Sequence, residues 1–259
     1  MDYPSLAVVA CGDKMNVDRT EIPLMTRLIL LPGLAGDDVM WQAQLAALAA
    51  WNPAVTDVHM RHDTVSEMAA ALLAESTGSL VLCGASMGGM IAMEAARQAP
   101  ERIVALALLG TTARPESTEM RQLREAAIEL FAQNRLLEVI EPNVGFAFHT
   151  DRASDAALVR PYLEFVLRAG ARQLIRQNRA VIQRPDARVH LPSLRCPTLV
   201  MCGDADQLTP PENSREIAGL IADAQLVMVP RCGHMLTMEQ PHQVNAALLA
   251  WLERHAPRA

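Results

Sequence analysis

The stretch LVLCGASMGGMIAMEAA, residues 80–96, passes from an unbroken apolar run into a segment with the composition of a helix. Three glycines, Gly84, Gly88 and Gly89, lie at the join on either side of Ser86. Glycine loses more conformational freedom on folding than alanine does, so a simple turn between a strand and a helix does not need three of them. The glycines therefore indicate that the backbone around Ser86 has an unusual conformation or a close neighbour.

The spacing Gly84-Ala85-Ser86-Met87-Gly88 fits a sharp strand-to-helix turn that lifts a serine hydroxyl clear of a sheet. The pattern alone is weak support, because roughly one chain of this length in ten contains it by chance. A serine hydroxyl is also a poor nucleophile until a base removes its proton, and an acid must orient that base. A reactive Ser86 therefore requires a histidine and an acid elsewhere in the sequence.

Short runs that are apolar at every position recur along the chain, with helical patterns between them. Such runs suit strands buried on both faces, as in a parallel sheet covered by helices on each side. The predicted fold class is therefore α/β, with a mostly parallel, doubly wound sheet. The six runs cover residues 27–33, 54–60, 79–85, 103–110, 197–203 and 224–230.

Several of the intervening helices have recognisable ends. Thr64 and Glu67 have the spacing of a capping box, which predicts a helix that begins there and ends at Gly78. Prolines predict the other boundaries, since proline suits the first turn of a helix and cannot continue one. They lie at positions 100, 210, 211 and 241.

The alternating pattern is interrupted between residues 113 and 190, where the sequence has no convincing strand. Two amphipathic stretches, 119–141 and 158–182, predict helices in this region. We therefore predict one core domain formed by residues 1–112 and 191–259, with a helical cap inserted at 113–190.

The composition excludes some classes of partner. The net charge of -6 and the pI near 5.7 argue against binding to nucleic acid or to an anionic membrane surface. No apolar stretch approaches the roughly 20 residues of a membrane span. The segment VVAC at 8–11 lacks the charged and apolar regions of a signal peptide. We therefore expect a cytoplasmic protein that binds a small molecule.

The five cysteines predict neither a disulfide framework nor a metal site. Their number is odd, their spacing is irregular, and no two form a C-x-x-C pair. We expect small core residues in a reducing compartment, and no bound metal. They lie at positions 11, 83, 196, 202 and 232.

Two later segments offer an acid and a histidine directly after predicted strands. MCGDADQLTP, residues 201–210, contains Asp204 and Asp206, and VPRCGHMLTMEQP, residues 229–241, contains His234. The carboxyl ends of parallel strands meet at one edge of a sheet, which is also where Ser86 is expected. The three residue types that nucleophilic catalysis requires are thus predicted at the same edge.

With these segments and LLPGLAG, residues 30–36, the chain resembles the α/β-hydrolase superfamily, in its branch of small capped esterases, enol-lactonases and carbon–carbon bond hydrolases. The resemblance covers nearly all of the chain. It implies an α/β-hydrolase fold and a cofactor-free reaction, with Ser86 as nucleophile, Asp206 as the acid and His234 as the base.

Other interpretations of these residues stay open. Asp204 also follows the strand and is the alternative acid. Taken singly, Asp206 is also typical of a turn ahead of Pro210, and His234 of an ordinary surface histidine. The presence of all three residues, in the expected order at three strand ends, favours a catalytic role.

Acyl transfer also requires two backbone N–H groups that stabilise the developing negative charge, the oxyanion hole. The resemblance implies that Met87 supplies one, at the amino terminus of a helix, and Leu34 the other. Related proteins usually have His-Gly where this sequence has Pro32-Gly33. The chain therefore lacks a side chain that braces this loop in its relatives.

The predicted cap is expected to select the substrate. Residues 113–190 contain 12 arginines against 10 acidic residues, and four of the arginines recur at helical spacing. A solvated outer face is one interpretation of that row, and an entrance that attracts carboxylate-bearing substrates is the other. The four are Arg168, Arg172, Arg176 and Arg179.

Methionines near the candidate catalytic residues predict a tolerant apolar pocket, because thioether side chains are flexible. The expected substrate is a small carboxylic ester or lactone, cleaved through an acyl-enzyme on Ser86. The alternatives are carbon–carbon bond hydrolysis or perhydrolysis on the same fold, and a non-catalytic relative that binds a small ligand. The candidate pocket residues are Trp41, Met90, His149 and Met235.

Overall fold

The computed structural model describes residues 26–256 of the chain. The predictions for Cys11 and for the segment at 8–11 lie outside the described residues. Within this part of the chain six strands form one sheet, and each corresponds to one of the six apolar runs. They are β1 (Arg27–Leu31), β2 (Ala54–Val55), β3 (Leu80–Ala85), β4 (Ile103–Leu109), β5 (Thr198–Gly203) and β6 (Gln225–Val229).

The strand order is β2-β1-β3-β4-β5-β6, and every pairing among these strands is parallel. The chain thus moves outward from β1 in both directions, which is the doubly wound arrangement that the sequence predicts. Alternate residues of one strand face opposite sides. Leu28 and Leu30 join the apolar cluster on one face of the sheet, and Ile29 and Leu31 join the cluster on the other.

The strand predicted at 54–60 is much shorter in the structure. Only Ala54–Val55 pairs with β1, at the edge of the sheet, and residues Val58–Met60 form a 3-10 turn. The ring of His59 in this turn is 1% exposed and bonds the Gly36 carbonyl, with Nε2 2.8 Å from the oxygen. Val58 and the His59 ring are therefore buried in a loop that lies against the segment following β1.

Nine helices accompany the sheet within residues 26–256, and none of them is long and apolar enough to cross a membrane. Helices α2 and α3 pack on one face, while α1 and α9 pack on the other. The helices are α1 (Gln42–Ala47), α2 (Val65–Glu75), α3 (Met87–Gln98), α4 (Thr118–Ala132), α5 (Leu137–Ala147), α6 (Ala156–Ile182), α7 (Pro211–Leu220), α8 (Leu236–Glu239) and α9 (Pro241–His255).

The capping box of α2 is confirmed: the Thr64 side chain accepts from the Glu67 N–H, and Glu67 accepts from the Thr64 N–H. The helix ends at Glu75, before the predicted Gly78. The guanidinium of Arg102 donates to the carbonyls of Leu73, Ser76 and Gly78. A distant arginine thus satisfies the carbonyls that the helix end leaves free.

The 113–190 segment contains α4, α5 and α6, and its assignment to a separate cap domain stays a prediction. The helical stretch at 119–141 is divided in two, since Asn134 has a φ of 61° between α4 and α5. The stretch at 158–182 lies within α6, which is interrupted at Gly170, with φ 75° and ψ 168°. Asparagine and glycine tolerate this left-handed backbone better than other residues.

Aromatic rings form the interior of this segment. Phe148 and Tyr162 meet edge to face with their centroids 5.3 Å apart, and Tyr162 meets Phe165 in the same way at 5.4 Å. Asn143 donates to the Tyr162 hydroxyl at 2.8 Å, so the one polar atom of the buried ring has a partner. The rings tie the end of α5 to the first half of α6.

The two stretches of chain that connect the 113–190 segment to the sheet are hydrogen-bonded to each other. The Ala187 N–H donates to the Ala113 carbonyl at 2.9 Å. Beside this bond, the buried carboxylate of Glu116 pairs with Arg184 at 2.9 Å and with Arg124 at 2.5 Å. An ion cluster thus closes the base of the segment.

The row of arginines on α6 is only partly solvated. Arg168 pairs with Asp37 and Arg176 pairs with Asp63, both in loops that follow strands of the sheet. Arg176 is half-buried, whereas Arg168 and the other two, at positions 172 and 179, are exposed. Two members of the row therefore fasten α6 to the sheet domain.

Candidate active site

Ser86 lies at the strained junction between β3 and α3. Its φ of 52° and ψ of -117° are rare for a residue with a side chain and carry an energetic cost. The Ser86 N–H donates to the Leu109 carbonyl at 2.9 Å, and the Thr111 hydroxyl donates to the Ser86 carbonyl at 2.7 Å. Bonds to β4 and to the residues after it thus stabilise the turn that presents the Ser86 hydroxyl.

Close backbone approach explains two of the glycines near this turn. A Cβ atom on Gly88 would lie 2.7 Å from the Pro32 carbonyl oxygen, and one on Gly89 would lie 2.7 Å from the Thr111 side chain. The beginning of α3 is thus pressed against the loop after β1. The same contact brings Gly33 to Ser86, since a Cβ on Gly33 would lie 3.3 Å from the Ser86 Cβ.

A continuous hydrogen-bond chain joins Ser86, His234 and Asp206. The Ser86 Oγ lies 2.9 Å from His234 Nε2, and His234 Nδ1 lies 2.8 Å from Asp206 Oδ2. An ionised carboxylate only accepts hydrogen bonds, so Nδ1 carries the proton and Nε2 accepts from the serine hydroxyl. The imidazole is therefore held in the tautomer that can take the serine proton.

The Asp206 carboxylate is buried and fully bonded. The N–H groups of Leu208 and Thr209 each donate to Oδ1 at 2.9 Å, and the Thr209 hydroxyl donates to Oδ2 at 2.8 Å. Burial alone would raise the pKa of Asp206, but His234 and Thr209 outweigh it and lower that pKa. The alternative acid, Asp204, is exposed and accepts from the Cys232 N–H instead.

The side chain of His234 is 8% exposed, and burial by itself would lower its pKa. The charge and hydrogen bond of Asp206 act in the opposite direction, and the carboxylate of Glu239 adds to them. Arg124 opposes this effect more weakly, and the net result is a pKa above the ordinary value of 6.5. The site therefore favours the imidazolium that forms when the serine gives up its proton.

The loop that carries His234 is fastened to the end of α5. The N–H groups of His234 and Met235 both donate to the Ala147 carbonyl, at 2.9 and 3.1 Å. This contact is not predictable from the sequence, because Ala147 carries no polar side chain and lies 87 residues before His234.

Glu239 makes a second connection between the same elements. Its buried carboxylate accepts from the Gly233 N–H at 3.0 Å and from the His149 N–H at 2.8 Å. Burial raises the pKa of Glu239, and these backbone bonds partly offset the shift. An acidic residue five positions after His234 is a signal visible in the sequence, but only the structure gives its partners.

The two candidate oxyanion donors belong to segments that lie next to Ser86. Met87 is the first residue of α3, so its N–H has no acceptor within the helix. Leu34 lies in the loop that Gly33 brings against Ser86, and no acceptor among residues 26–256 bonds its N–H. Both groups are free for a ligand, and their role as oxyanion donors stays a prediction.

Three of the candidate pocket residues are buried in apolar clusters. Trp41 is fully buried on the α1 side of the sheet, and Met235 is in the same cluster. Met90 is in the cluster of α2 and α3, where it lines a small cavity of about 10 Å³. Their contact with substrate stays a prediction.

His149, the fourth, lies at the edge of the 113–190 segment. Its Nδ1 accepts from the Asp151 N–H at 3.1 Å, and its side chain borders an open groove of about 370 Å³ on the outer surface. The other lining residues of that groove include Pro230 and Arg231, and none of the hydrogen-bonded chain at Ser86 is among them. Its role in the pocket also stays a prediction.

The cysteines near the site are buried, as predicted. Burial raises the pKa of Cys202 to about 12, and it also raises the pKa values of Cys83 and Cys232. A thiol rather than a thiolate is expected at neutral pH, which disfavours nucleophilic chemistry there. In the described part of the chain, no three His, Cys, Asp or Glu side chains form a group that could hold a metal ion.

A doubly wound parallel sheet that bears a Ser–His–Asp hydrogen-bond chain at the carboxyl ends of its strands is typical of the α/β hydrolases. The model of the family described as alpha/beta hydrolase fold matches residues 26–241. The chain belongs to this family.

Curated proteins and solved structures agree with this assignment. The chain is 28% identical over 248 residues to the dihydrolipoyllysine-residue acetyltransferase component of the acetoin cleaving system of Pseudomonas putida, covering 89% of this chain but only 64% of that protein. It is 25% identical to RutD of Serratia proteamaculans, named as a proposed carbamate hydrolase, with 90% and 92% covered. A thermophilic esterase from Thermogutta terrifontis superimposes with a TM-score of 0.80 at 28% identity, covering 88% of this chain and 90% of the esterase.

Proposed function

We propose that this protein is a cofactor-free serine hydrolase that cleaves carboxylic esters or lactones. The observation that carries the proposal is the hydrogen-bond chain from Ser86 through His234 to Asp206, with distances of 2.9 and 2.8 Å. The similarity to the Thermogutta terrifontis esterase supports an ester as the substrate class.

In the proposed reaction, Ser86 Oγ attacks the substrate carbonyl while His234 Nε2 accepts its proton. The carbonyl oxygen becomes an oxyanion, which the N–H groups of Met87 and Leu34 stabilise. His234 then gives the proton to the leaving alcohol, and an acyl-enzyme remains on Ser86. In the second half of the reaction, water attacks the acyl carbonyl while His234 accepts its proton. His234 then gives the proton to Ser86 Oγ, which releases the acid and restores the serine.

The test combines a covalent probe with a chromogenic substrate. A fluorophosphonate is expected to label Ser86 alone, since only an activated serine attacks phosphorus rapidly, and p-nitrophenyl butyrate is expected to be hydrolysed. Ser86→Ala is the control, because it removes one oxygen and leaves the turn intact. Labelling or turnover that persists in Ser86→Ala would contradict the assignment of the nucleophile.

Carbamate hydrolysis is a second candidate, favoured by the similarity to RutD over nine tenths of both chains. The same residues serve either reaction, because both break a carbonyl–heteroatom bond through a tetrahedral intermediate. The experiment measures kcat/KM for an aryl ester, an enol-lactone, an aryl carbamate and a vinylogous diketone of matched size. These values rank the four reactions: cleavage of an ester, a lactone, a carbamate and a carbon–carbon bond. A fully folded protein that neither turns over this set nor reacts with the probe would instead be a non-catalytic binding protein.

A further inference from the structure

We propose that Gln177 is a positioning residue for the reaction. From α6 of the 113–190 segment, its side-chain amide holds the loop that presents the Leu34 N–H to the oxyanion. This inference rests on the proposed function, because the loop matters to catalysis only if an oxyanion forms beside Ser86.

The loop that contains Leu34 is strained. Ala35, the next residue, has a φ of 60°, in the left-handed region that residues with a Cβ adopt only at an energetic cost. Within the loop, one backbone bond closes the turn, from the Gly36 N–H to the Gly33 carbonyl at 3.0 Å. Because this single backbone bond holds the turn from within, bonds from outside the loop add to the stability of its conformation.

Gln177 supplies one of these bonds. Its Oε1 accepts from the Ala35 N–H at 2.7 Å, and its Nε2 donates to the His59 carbonyl at 3.0 Å. The side chain is fully buried, so both ends of the amide are committed to these partners and water does not compete for them. The amide thus fixes the peptide group directly after Leu34.

The His59 ring holds the other side of Ala35. Its Nε2 lies 2.8 Å from the Gly36 carbonyl, and since a carbonyl only accepts, this nitrogen carries the proton. Gln177 therefore bonds the loop directly, at Ala35. It also bonds the carbonyl of His59, whose ring in turn bonds the loop at Gly36. The two supports form one connected network.

The loop itself has little polar support, since the Pro32 side chain has no polar atom that could brace it. Gln177 provides a polar brace from α6, 142 residues away from Ala35 in the chain. The geometry of the candidate oxyanion hole then depends on the position of α6 relative to the loop.

The experiment compares Gln177→Leu and Gln177→Met with a matched control, Gln173→Leu. Gln173 also donates to the His59 carbonyl, at 3.1 Å, from the same helix, but the Ala35 N–H bonds Gln177 and not Gln173. For p-nitrophenyl butyrate we expect kcat to fall by about 10- to 100-fold in the Gln177 variants, the effect of a misplaced catalytic group, while KM changes little. The control is expected to keep nearly full activity.

A second readout separates positioning from general destabilisation. A boronic acid forms a tetrahedral adduct with an active serine, so its inhibition constant is expected to rise by the same factor as kcat falls. The product butyrate resembles the ground state, and its inhibition constant is expected to stay unchanged. Circular dichroism and thermal melting establish that the variants are folded.

The outcomes are distinct. Gln177 variants that match Gln173→Leu in kcat and in boronate affinity would overturn the inference and leave the proposed function standing. Loss of the fold in both Gln177 variants would overturn it too, because the residue would then serve stability. A wild-type protein without turnover or fluorophosphonate labelling would overturn the proposed function itself, and this inference with it.

Discussion

Asp206 and Asp204 lie two positions apart in the same loop, and substitution separates their roles. Asp206→Asn removes the charge that selects the His234 tautomer, so kcat for an ester is expected to fall by something on the order of 10⁴. Asp204→Asn is expected to cost much less, because that carboxylate is exposed and bonds the Cys232 N–H rather than the imidazole. Steady-state kinetics on the two purified variants give the ranking, and the reverse order would refute the assignment.

The pH dependence of the reaction follows from the charges around His234. The imidazole must be neutral to accept the serine proton, and Asp206 raises its pKa above 6.5 despite burial. We therefore expect kcat/KM for p-nitrophenyl butyrate to decline as the pH falls through a midpoint above 6.5, with the slope of a single proton. A rate that is constant from about pH 5 to 9 with the fold intact would remove His234 as the base.

Glu239→Gln provides a control for this profile. The substitution keeps an oxygen that can accept from Gly233 or His149 and removes a negative charge that raises the pKa of His234. The midpoint is expected to move to lower pH in this variant. A midpoint that stays in place would show that Glu239 acts on the loop through its hydrogen bonds alone.

Catalytic candidates are predictable from the sequence where a reactive side chain directly follows a buried strand. Ser86, Asp206 and His234 each follow a buried apolar run, and the structure brings them within hydrogen-bond distance. Gln177 and Glu239 could not be assigned in this way. Their partners are backbone groups, which any residue type can supply, and two of these partners, Ala35 and His149, lie 142 and 90 positions away in the chain.

The contact between α2 and α3 depends on a buried acid. The Glu94 side chain is 2% exposed and accepts from Ser66, Arg97 and Gln98, which overcomes the effect of burial and lowers the pKa of Glu94 to about 2. Hydrogen bonds to charged groups contribute about 1.5–3 kcal/mol, so Glu94→Gln is expected to lower the free energy of unfolding by roughly 1–3 kcal/mol at pH 7.

The pH dependence of the unfolding free energy tests whether the charge of Glu94 is the source of this stabilisation. A carboxylate whose pKa is lowered on folding stabilises the protein above its ordinary pKa of 4.5, and this contribution is lost as the pH falls toward 2. Urea unfolding of wild type and Glu94→Gln should therefore differ at pH 7, and the difference should shrink below about pH 4.5 and vanish only near about pH 2. Glu101→Gln, at an exposed position, serves as the control. A difference that is the same at both pH values would contradict the electrostatic cause.

Element boundaries were predictable where the signal is local. The Thr64 capping box and Pro241 mark the beginnings of α2 and α9 as predicted. The end of α2 was not predictable, because the carbonyls there bond Arg102, which is distant in the chain. The length of β2 was not predictable either, because this strand lies at the edge of the sheet and has only one neighbouring strand. The helix breaks at Asn134 and Gly170 were not predictable, because these residue types allow a left-handed backbone but do not require it.

The base of the 113–190 segment is expected to be a major determinant of stability. Glu116→Gln leaves the guanidinium groups of Arg184 and Arg124 without a counter-charge at a site where Glu116 is 4% and Arg184 6% exposed. Loss of one partner from a buried pair costs about 3–5 kcal/mol, and we expect a loss of this size in the free energy of unfolding, measured with urea.

An exposed pair in the same segment gives the comparison. Arg135 and Glu138 form an ion pair three residues apart, with both side chains about half exposed. Glu138→Gln is expected to leave the unfolding transition nearly unchanged, since solvent screens such pairs. Equal effects of the two substitutions would mean that the Glu116 cluster is no more important than a surface pair.

The break in α6 at Gly170 has a consequence for how such a protein diversifies. Before the break, Tyr162 and Phe165 belong to the aromatic interior of the 113–190 segment; after it, Gln177 reaches the loop beside Ser86. A continuous helix would transmit a rotation of one half to the other, whereas the interrupted one uncouples them. Substitutions in the first half are thus expected to accumulate without disturbing the bond from Gln177 to Ala35. Since the sequence predicts that the 113–190 segment selects the substrate, we expect mutant libraries confined to the turns before Gly170 to alter substrate preference while this bond is kept.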